Sequence, residues 1–175
     1  RVVPISIVLG RMPRLVRDLA RSLGKQVDLD IEDGDIQIDK SMVDALMEPL
    51  VHMIRNAMPN DGIITNGAGN FAAFVHRFFR YRDFTTQLAP TSGSMGYGVP
   101  AGIAAKRVFP ERCVVTVAGD GDFMMTSQEL ATAAHHGINV IIIIVNNGMF
   151  GTIRMHQEKH FPGRIIATQL ANPDF

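Results

Sequence analysis

Two apolar runs dominate the second half of the chain, Val114 to Val117 and Val140 to Val145. Each ends in a polar, glycine-bearing loop, Gly119-Asp120-Gly121-Asp122 after the first and Asn146-Asn147-Gly148 after the second. A strand that is apolar on both faces has to be covered on both, as in a parallel sheet layered between helices. The segments between these runs suit the covering layers: residues 95–108 read as a helix, and so does Ser127 to His136 with Gly137 past its end. Ile63-Ile64-Thr65, running into Gly67 and Gly69, opens the series as an earlier strand. The predicted fold class is α/β, a parallel sheet flanked by helices. Ligands of such sheets gather at the carboxyl ends of the strands, where this sequence places its two unusual loops.

The first third of the chain is built differently. Thirteen of the 16 glycines lie beyond residue 58, and Met58-Pro59-Asn60-Asp61-Gly62 reads as a boundary between a segment 1–58 and a domain 59–175. In the first segment Leu15, Val16, Leu19 and Leu23 recur at helical spacing ahead of Gly24. Val27, Leu29 and Ile31 alternate with polar residues, as do Ile36 and Ile38 after Asp33-Gly34-Asp35, which predicts a two-stranded hairpin. Asp39 or Ser41 then caps a long helix to about Met58, with Val43, Leu46, Leu50, Ile54 and Met58 as its apolar stripe and a bend at Pro49. The segment thus reads as helix, hairpin, helix.

Composition narrows the function classes. The 17 basic residues balance 17 acidic ones and are dispersed, so nothing favours nucleic acid or an anionic membrane as partner. The single cysteine, Cys113, cannot form an internal disulfide, which suits a reducing, cytoplasmic setting. The longest apolar run falls far short of the roughly 20 residues that span a bilayer. The chain starts without Met and stops at Asn172-Pro173-Asp174-Phe175, so a fragment of a longer protein is expected.

Taken singly, Gly-Asp-Gly and Asn-Asn-Gly are common turns. Placed at the ends of successive strands, Asp120 and Asn147 can face one point. A carboxylate, an amide oxygen and a main-chain carbonyl make an all-oxygen site that suits Mg²⁺, a cation that readily shares ligands with phosphate. The ligand inferred from these residues is a metal-bridged diphosphate.

Gly119-Asp120-Gly121, an intervening stretch, and then Asn146-Asn147 resemble the cofactor signature of thiamine-diphosphate-dependent enzymes. From about Pro59 to Phe175 the chain is similar to the C-terminal, diphosphate-binding domain of the acetolactate synthase and benzoylformate decarboxylase group. The resemblance implies that thiamine diphosphate binds through Mg²⁺, with Asp120, Asn147 and the carbonyl of Met149 on the metal. It implies further that Gly119 belongs to the same loop, with the N–H groups of Gly121 and Asp122 on the diphosphate. In Thr91-Ser92-Gly93-Ser94-Met95-Gly96 it gives the Gly93 carbonyl to the aminopyrimidine and makes Met95 the apolar prop that folds the cofactor. The implied substrates are 2-oxo acids, and the implied chemistry is decarboxylation or carboligation. In this family a Glu from a pyrimidine-binding domain, usually on a partner subunit, completes the site. No matching motif occurs in residues 1–58. The chain is therefore expected to hold half an active site, to be inactive alone, and to need that domain from another chain, as in a homo-oligomer, or from a missing segment.

Residues 1–58 resemble something else. Pro13-Arg14-Leu15-Val16-Arg17-Asp18-Leu19 and Glu48-Pro49-Leu50-Val51-His52-Met53-Ile54-Arg55-Asn56-Ala57 look like a chemotaxis histidine kinase, with His52 and Asn56 matching its N-box. The following Asp-His-Gly is replaced by Pro59-Asn60-Asp61-Gly62, and the later ATP-lid motifs do not appear. A chimera joined near residues 57–61 is the resulting expectation. The competing functions are an ATP-binding signalling fragment and a folded chimera without ligand.

Other motifs carry less. Gly67-Ala68-Gly69-Asn70-Phe71-Ala72 fits a dinucleotide fingerprint formally but has no acidic partner about 20 residues on. His156, Glu158 and His160 lack the adjacent His-Glu of zinc peptidases and read as solvated side chains. His135 and His136 suit a helix end, and Cys113, Met124 and Met125 read as packing residues.

Overall fold

The computed structural model describes residues 2–4, 37–39 and 52–175. It divides into two compact units, Arg1–Pro59 and Asn60–Phe175.

In the first unit β1 (Val2–Pro4) pairs antiparallel with β2 (Gln37–Asp39), with Val3 opposite Ile38. The partner of this strand is thus the chain start; the stretch 27–31 expected to pair with it lies outside the described residues, as do the helix at 11–23 and the bend at Pro49. Residues 52–57 are helical, and the predicted stripe residues Ile54 and Met58 are buried while Asn56 is exposed.

The second unit contains a four-stranded sheet. Its elements follow as β3 (Ile63–Asn66), α1 (Asn70–Phe78), β4 (Gln87–Leu88), α2 (Gly98–Val108), β5 (Val114–Gly119), α3 (Asp120–Met124), α4 (Glu129–His135), β6 (Ile141–Val145) and α5 (Gly151–His160). The strands lie in the order β4-β3-β5-β6 and all pair in parallel. Ile63 to Asn66 face Val114 to Val117, and Val115 to Gly119 face Ile141 to Val145. Every residue of β3 and β5 is buried, the polar Thr65, Asn66 and Thr116 included.

Alternation along the strands divides the core between two faces. On one, Val99 and Ile103 of α2 and Ala133 of α4 pack with Ala118 and Phe123, and Ile142 and Ile144 of β6 close the cluster. The same face holds a buried polar pair: Thr65 Oγ1 lies 2.7 Å from Thr116 Oγ1 and 2.9 Å from the carbonyl oxygen of Gly98. This fit depends on the absence of a side chain at Gly98, where a Cβ would stand 2.7 Å from the Gly67 nitrogen. Helix α1 covers the opposite face, with Phe71, Ala72 and Val75 buried against the sheet around β5.

Helix α2 begins at Gly98 rather than at residue 95, because Gly96 takes a positive φ of 79° that a helix cannot contain. Pro100 sits in the first turn of α2, where its missing N–H costs no intrahelical bond. The short strand β4 and helices α1 and α5 are elements that the sequence pattern did not announce, and Asp120 to Asp122, expected in a loop, open helix α3 instead.

Candidate functional site

The chain leaves β3 toward β4 on one side and returns to β5 on the other, so adjacent strands send their carboxyl ends into loops that diverge. Such a switch point opens a crevice at the strand ends. Four loop regions border it: 66–70 after β3, 91–97 before α2, the turn from β5 directly into α3 at 119–122, and 146–150 after β6.

Asp120 opens α3 and is only 2% exposed. Its Oδ2 accepts the Gly148 N–H at 2.8 Å and the Asn172 side-chain amide at 2.6 Å. The loop after β5 and the loop after β6 therefore converge, and both hydrogen bonds fall on one carboxylate oxygen. Asn147 lies beside this contact; its Oδ1 accepts the Met149 N–H at 3.1 Å in a local turn. The Met149 carbonyl accepts the Gly151 N–H at 3.0 Å, leaving it one lone pair. The N–H groups of Gly121 and Asp122 belong to the first turn of α3 and so have no carbonyl four residues back to bond. Gly119 ends β5 with Phe71 against it, and Gly93 is exposed with a positive φ of 69° while Met95 is half-buried in the same loop.

The Asp122 side chain does something the sequence did not reveal. It is 2% exposed, and its Oδ1 accepts the Gly96 N–H at 2.6 Å. Backbone N–H groups of Gly119 and Ala68 also bond this carboxylate. One side chain thus joins three of the four loops. Burial pushes its carboxyl above the usual carboxylate range, and the N–H groups of Gly96, Gly119 and Ala68 draw it partly back. The carboxylate occupies the space over Gly67, where a Cβ would approach both oxygens closer than 3.0 Å. Thr126 Oγ1 adds a further tie by donating to the Gly96 carbonyl at 3.0 Å.

At the end of β3, Asn66 is 1% exposed; its Nδ2 donates to the Gly67 carbonyl, while its buried Oδ1 has no hydrogen-bond partner. Asn70, opening α1, is tied to α5: its N–H donates to Thr152 Oγ1 at 3.0 Å, and the Thr152 hydroxyl donates back to Asn70 Oδ1 at 3.0 Å.

The donor set fits a hard cation carrying a diphosphate. Asp120 supplies a carboxylate, with amide and carbonyl oxygens of Asn147 and Met149 beside it, and among the described residues no basic side chain is bonded to that carboxylate. By contrast, among the described residues no three His, Cys, Asp or Glu side chains converge on one point. Glu158 is taken by Arg154 at 2.8 Å, and the rings of His156 and His160 stack at 6.1 Å. Of the kinase-like N-box, His52 is half-buried and Asn56 is exposed, its Oδ1 accepting Arg55 Nε at 3.4 Å. Among the described residues no helix is long and apolar enough to cross a membrane.

Comparison with known proteins bears on the second unit. Residues 67–175 match the family described as thiamine pyrophosphate enzyme, C-terminal TPP binding domain. The mitochondrial acetolactate synthase catalytic subunit of Aspergillus candidus is 40% identical over 113 residues, which is 64% of this chain and 16% of that protein. The acetolactate synthase large subunit of Corynebacterium glutamicum is 38% identical over 121 residues, 66% of this chain and 19% of that protein. Among solved structures, the thiamine diphosphate-dependent 4-hydroxybenzoylformate decarboxylase of Rhodococcus jostii RHA1 superposes with a TM-score of 0.68 at 25% identity. That superposition covers 85% of this chain and 26% of the decarboxylase chain. The chain thus spans no more than about a fifth of the length of these synthases.

Proposed function

Because the chain belongs to the thiamine pyrophosphate enzymes through their C-terminal TPP-binding domain, we propose that it is the diphosphate-binding half of an acetolactate synthase-like or decarboxylase-like active site. In this proposal the cofactor is anchored by Mg²⁺. The observation that carries the reading is the meeting of two strand-end loops at Asp120, where the Gly148 N–H from the loop after β6 bonds the carboxylate at the end of β5.

Asp120 would hold Mg²⁺ with the carboxylate oxygen that its two donors leave uncovered, and Asn147 and the Met149 carbonyl would complete the protein's share of an all-oxygen set. The N–H groups of Gly121 and Asp122 would face the diphosphate. Gly93 and Met95 would receive the aminopyrimidine and prop the cofactor in its folded form. When bound, thiamine diphosphate supplies an acidic thiazolium carbon that adds to the carbonyl of a 2-oxo acid; the protein's part is to bind, orient and tune it. Asp122 keeps the loops around it at fixed spacing. We assign the carboxylic acid that meets the pyrimidine ring to a pyrimidine-binding domain on another chain or in a longer polypeptide. On its own the present chain would bind cofactor without turning over.

Titration calorimetry with thiamine diphosphate, with and without Mg²⁺, tests this on the parent chain and on Asp120→Ala. A Mg²⁺-dependent isotherm in the parent that disappears in Asp120→Ala is expected. Equal binding by both, or no Mg²⁺-dependent binding by the parent, refutes the assignment.

A further inference from the structure

We propose that Asn172 is a positioning residue for the cation site, holding Asp120 so that its carboxylate presents one fixed oxygen to the metal. The inference rests on the function proposed above and extends it to a residue 52 positions further along the chain.

The Asn172 amide nitrogen donates at 2.6 Å to Asp120 Oδ2 and at 2.9 Å to Asn146 Oδ1. An amide NH₂ has two hydrogens, and here both are used, one on each strand-end loop. With the Gly148 N–H also on Oδ2 at 2.8 Å, the carboxylate is held by two donors on one oxygen, and Oδ1 is left to a cation. The identity of the donor matters. A Lys or Arg in this place would bring a positive charge against the carboxylate and oppose Mg²⁺, whereas a neutral amide orients Asp120 and leaves its charge available. Hydrogen-bonded partners of this kind fix the geometry of metal-binding carboxylates.

Asn172 is delivered to this point by a built path. Gln157 of α5 brackets Ile166 through its Oε1 at 3.0 Å and its Nε2 at 3.1 Å. The chain then runs antiparallel to the loop after β6, with the Phe150 N–H on the Thr168 carbonyl and the Leu170 N–H on the Gly148 carbonyl, both at 2.9 Å. Beyond Asn172, the ring of Phe175 meets Phe123 of α3 edge-on at 5.5 Å. The segment is tied on both sides of the one residue whose side chain reaches the carboxylate.

Calorimetric titration of Mg²⁺ into the full chain with saturating thiamine diphosphate tests the proposal, using the parent, Asp120→Ala, Asn172→Ala and the nearly isosteric Asn172→Leu. Both Asn172 variants are expected to raise the Mg²⁺ dissociation constant about 10- to 100-fold. A residue that only supported the local fold would lower the urea midpoint and leave Mg²⁺ affinity in the folded protein within twofold of the parent, which would overturn the proposal. In the ¹⁵N-labelled parent, Mg²⁺ should shift the Asn172 side-chain NH₂ and the Gly148 amide with the calorimetric midpoint. Absence of those shifts refutes the proposal even if neither variant folds. If Asp120→Ala loses Mg²⁺ and the Asn172 variants bind as the parent does, only the role of Asn172 falls. If the parent itself does not bind, the proposed function fails with it.

Discussion

Replacing Gly67 by Ala should destabilise the second unit through a single side chain elsewhere in it. A Cβ at residue 67 would stand closer than 3.0 Å to both carboxylate oxygens of Asp122, whose Oδ1 holds the Gly96 N–H at 2.6 Å. The carboxylate cannot remain there and keep that bond. A hydrogen bond to a charged group contributes about 1.5–3 kcal/mol, and strain from inserting a methyl into a packed site adds about 1–3 kcal/mol. Gly67→Ala should therefore cost about 2.5–6 kcal/mol, the lower part if the Asp122 side chain swings aside. Asp122→Ala removes the obstruction and leaves the N–H groups of Gly96, Gly119 and Ala68 without their acceptor, so it carries a cost of its own. In that background the three atoms nearest the methyl at residue 67 are gone, and its further cost should fall below about 1 kcal/mol. Urea unfolding of the parent, both single variants and the double variant gives the coupling energy directly, and residues in contact show couplings of about 0.5–3 kcal/mol or more. Additive costs, with Gly67→Ala equally damaging in the presence and absence of the Asp122 carboxylate, would refute the clamp.

The ionisation of Asp122 and of Tyr81 yields two further tests. Burial raises the carboxyl of Asp122 above its unfolded value, so the native state binds the proton more tightly. The associated stability is complete below the ordinary aspartate range and is lost as pH rises through the raised value. Unfolding free energies measured across that acid range should show this decline in the parent relative to Asp122→Asn, and a constant difference between the two would contradict the burial effect. Partial burial also pushes Tyr81, which is 39% exposed and whose ring lies 5.2 Å from that of Phe79, up to about 12. Absorbance of phenolate in alkaline titration should show a late component that Tyr81→Phe removes; a component already complete near 10 would show that this hydroxyl is fully solvated.

The sequence carried the sheet and withheld the ties between its loops, for separable reasons. Val114 to Val117 and Val140 to Val145 announce themselves because a strand covered on both faces has few acceptable residues; the structure places β5 and β6 there, β5 wholly buried but β6 half-buried except at Ile143. Gln87–Leu88 gave no such signal: a two-residue edge strand needs only one partner, and its pairing to Ile64 and Thr65 is a tertiary outcome. Helix α5 has no buried residues, so it lacks an apolar stripe to mark it, and it is located instead by polar contacts such as that of Thr152 with Asn70.

The site divides along the same line. Asp120 and Asn147 could be singled out because glycine-flanked polar residues at strand ends have a recognisable local form. Asp122 was visible by position, yet its side-chain role depends on the vacancy over Gly67 and on the N–H of Gly96, 26 residues away. Asn172 had no local signal at all. An Asn before a proline is an ordinary turn or extended residue, and only the antiparallel return along residues 148–150 brings its amide to Asp120. A pattern can thus nominate the groups that would touch a cation, since those are constrained by chemistry at one place in the chain. The groups that hold them at a usable angle are constrained only by distance in space, and for this chain they come from a segment about fifty residues downstream.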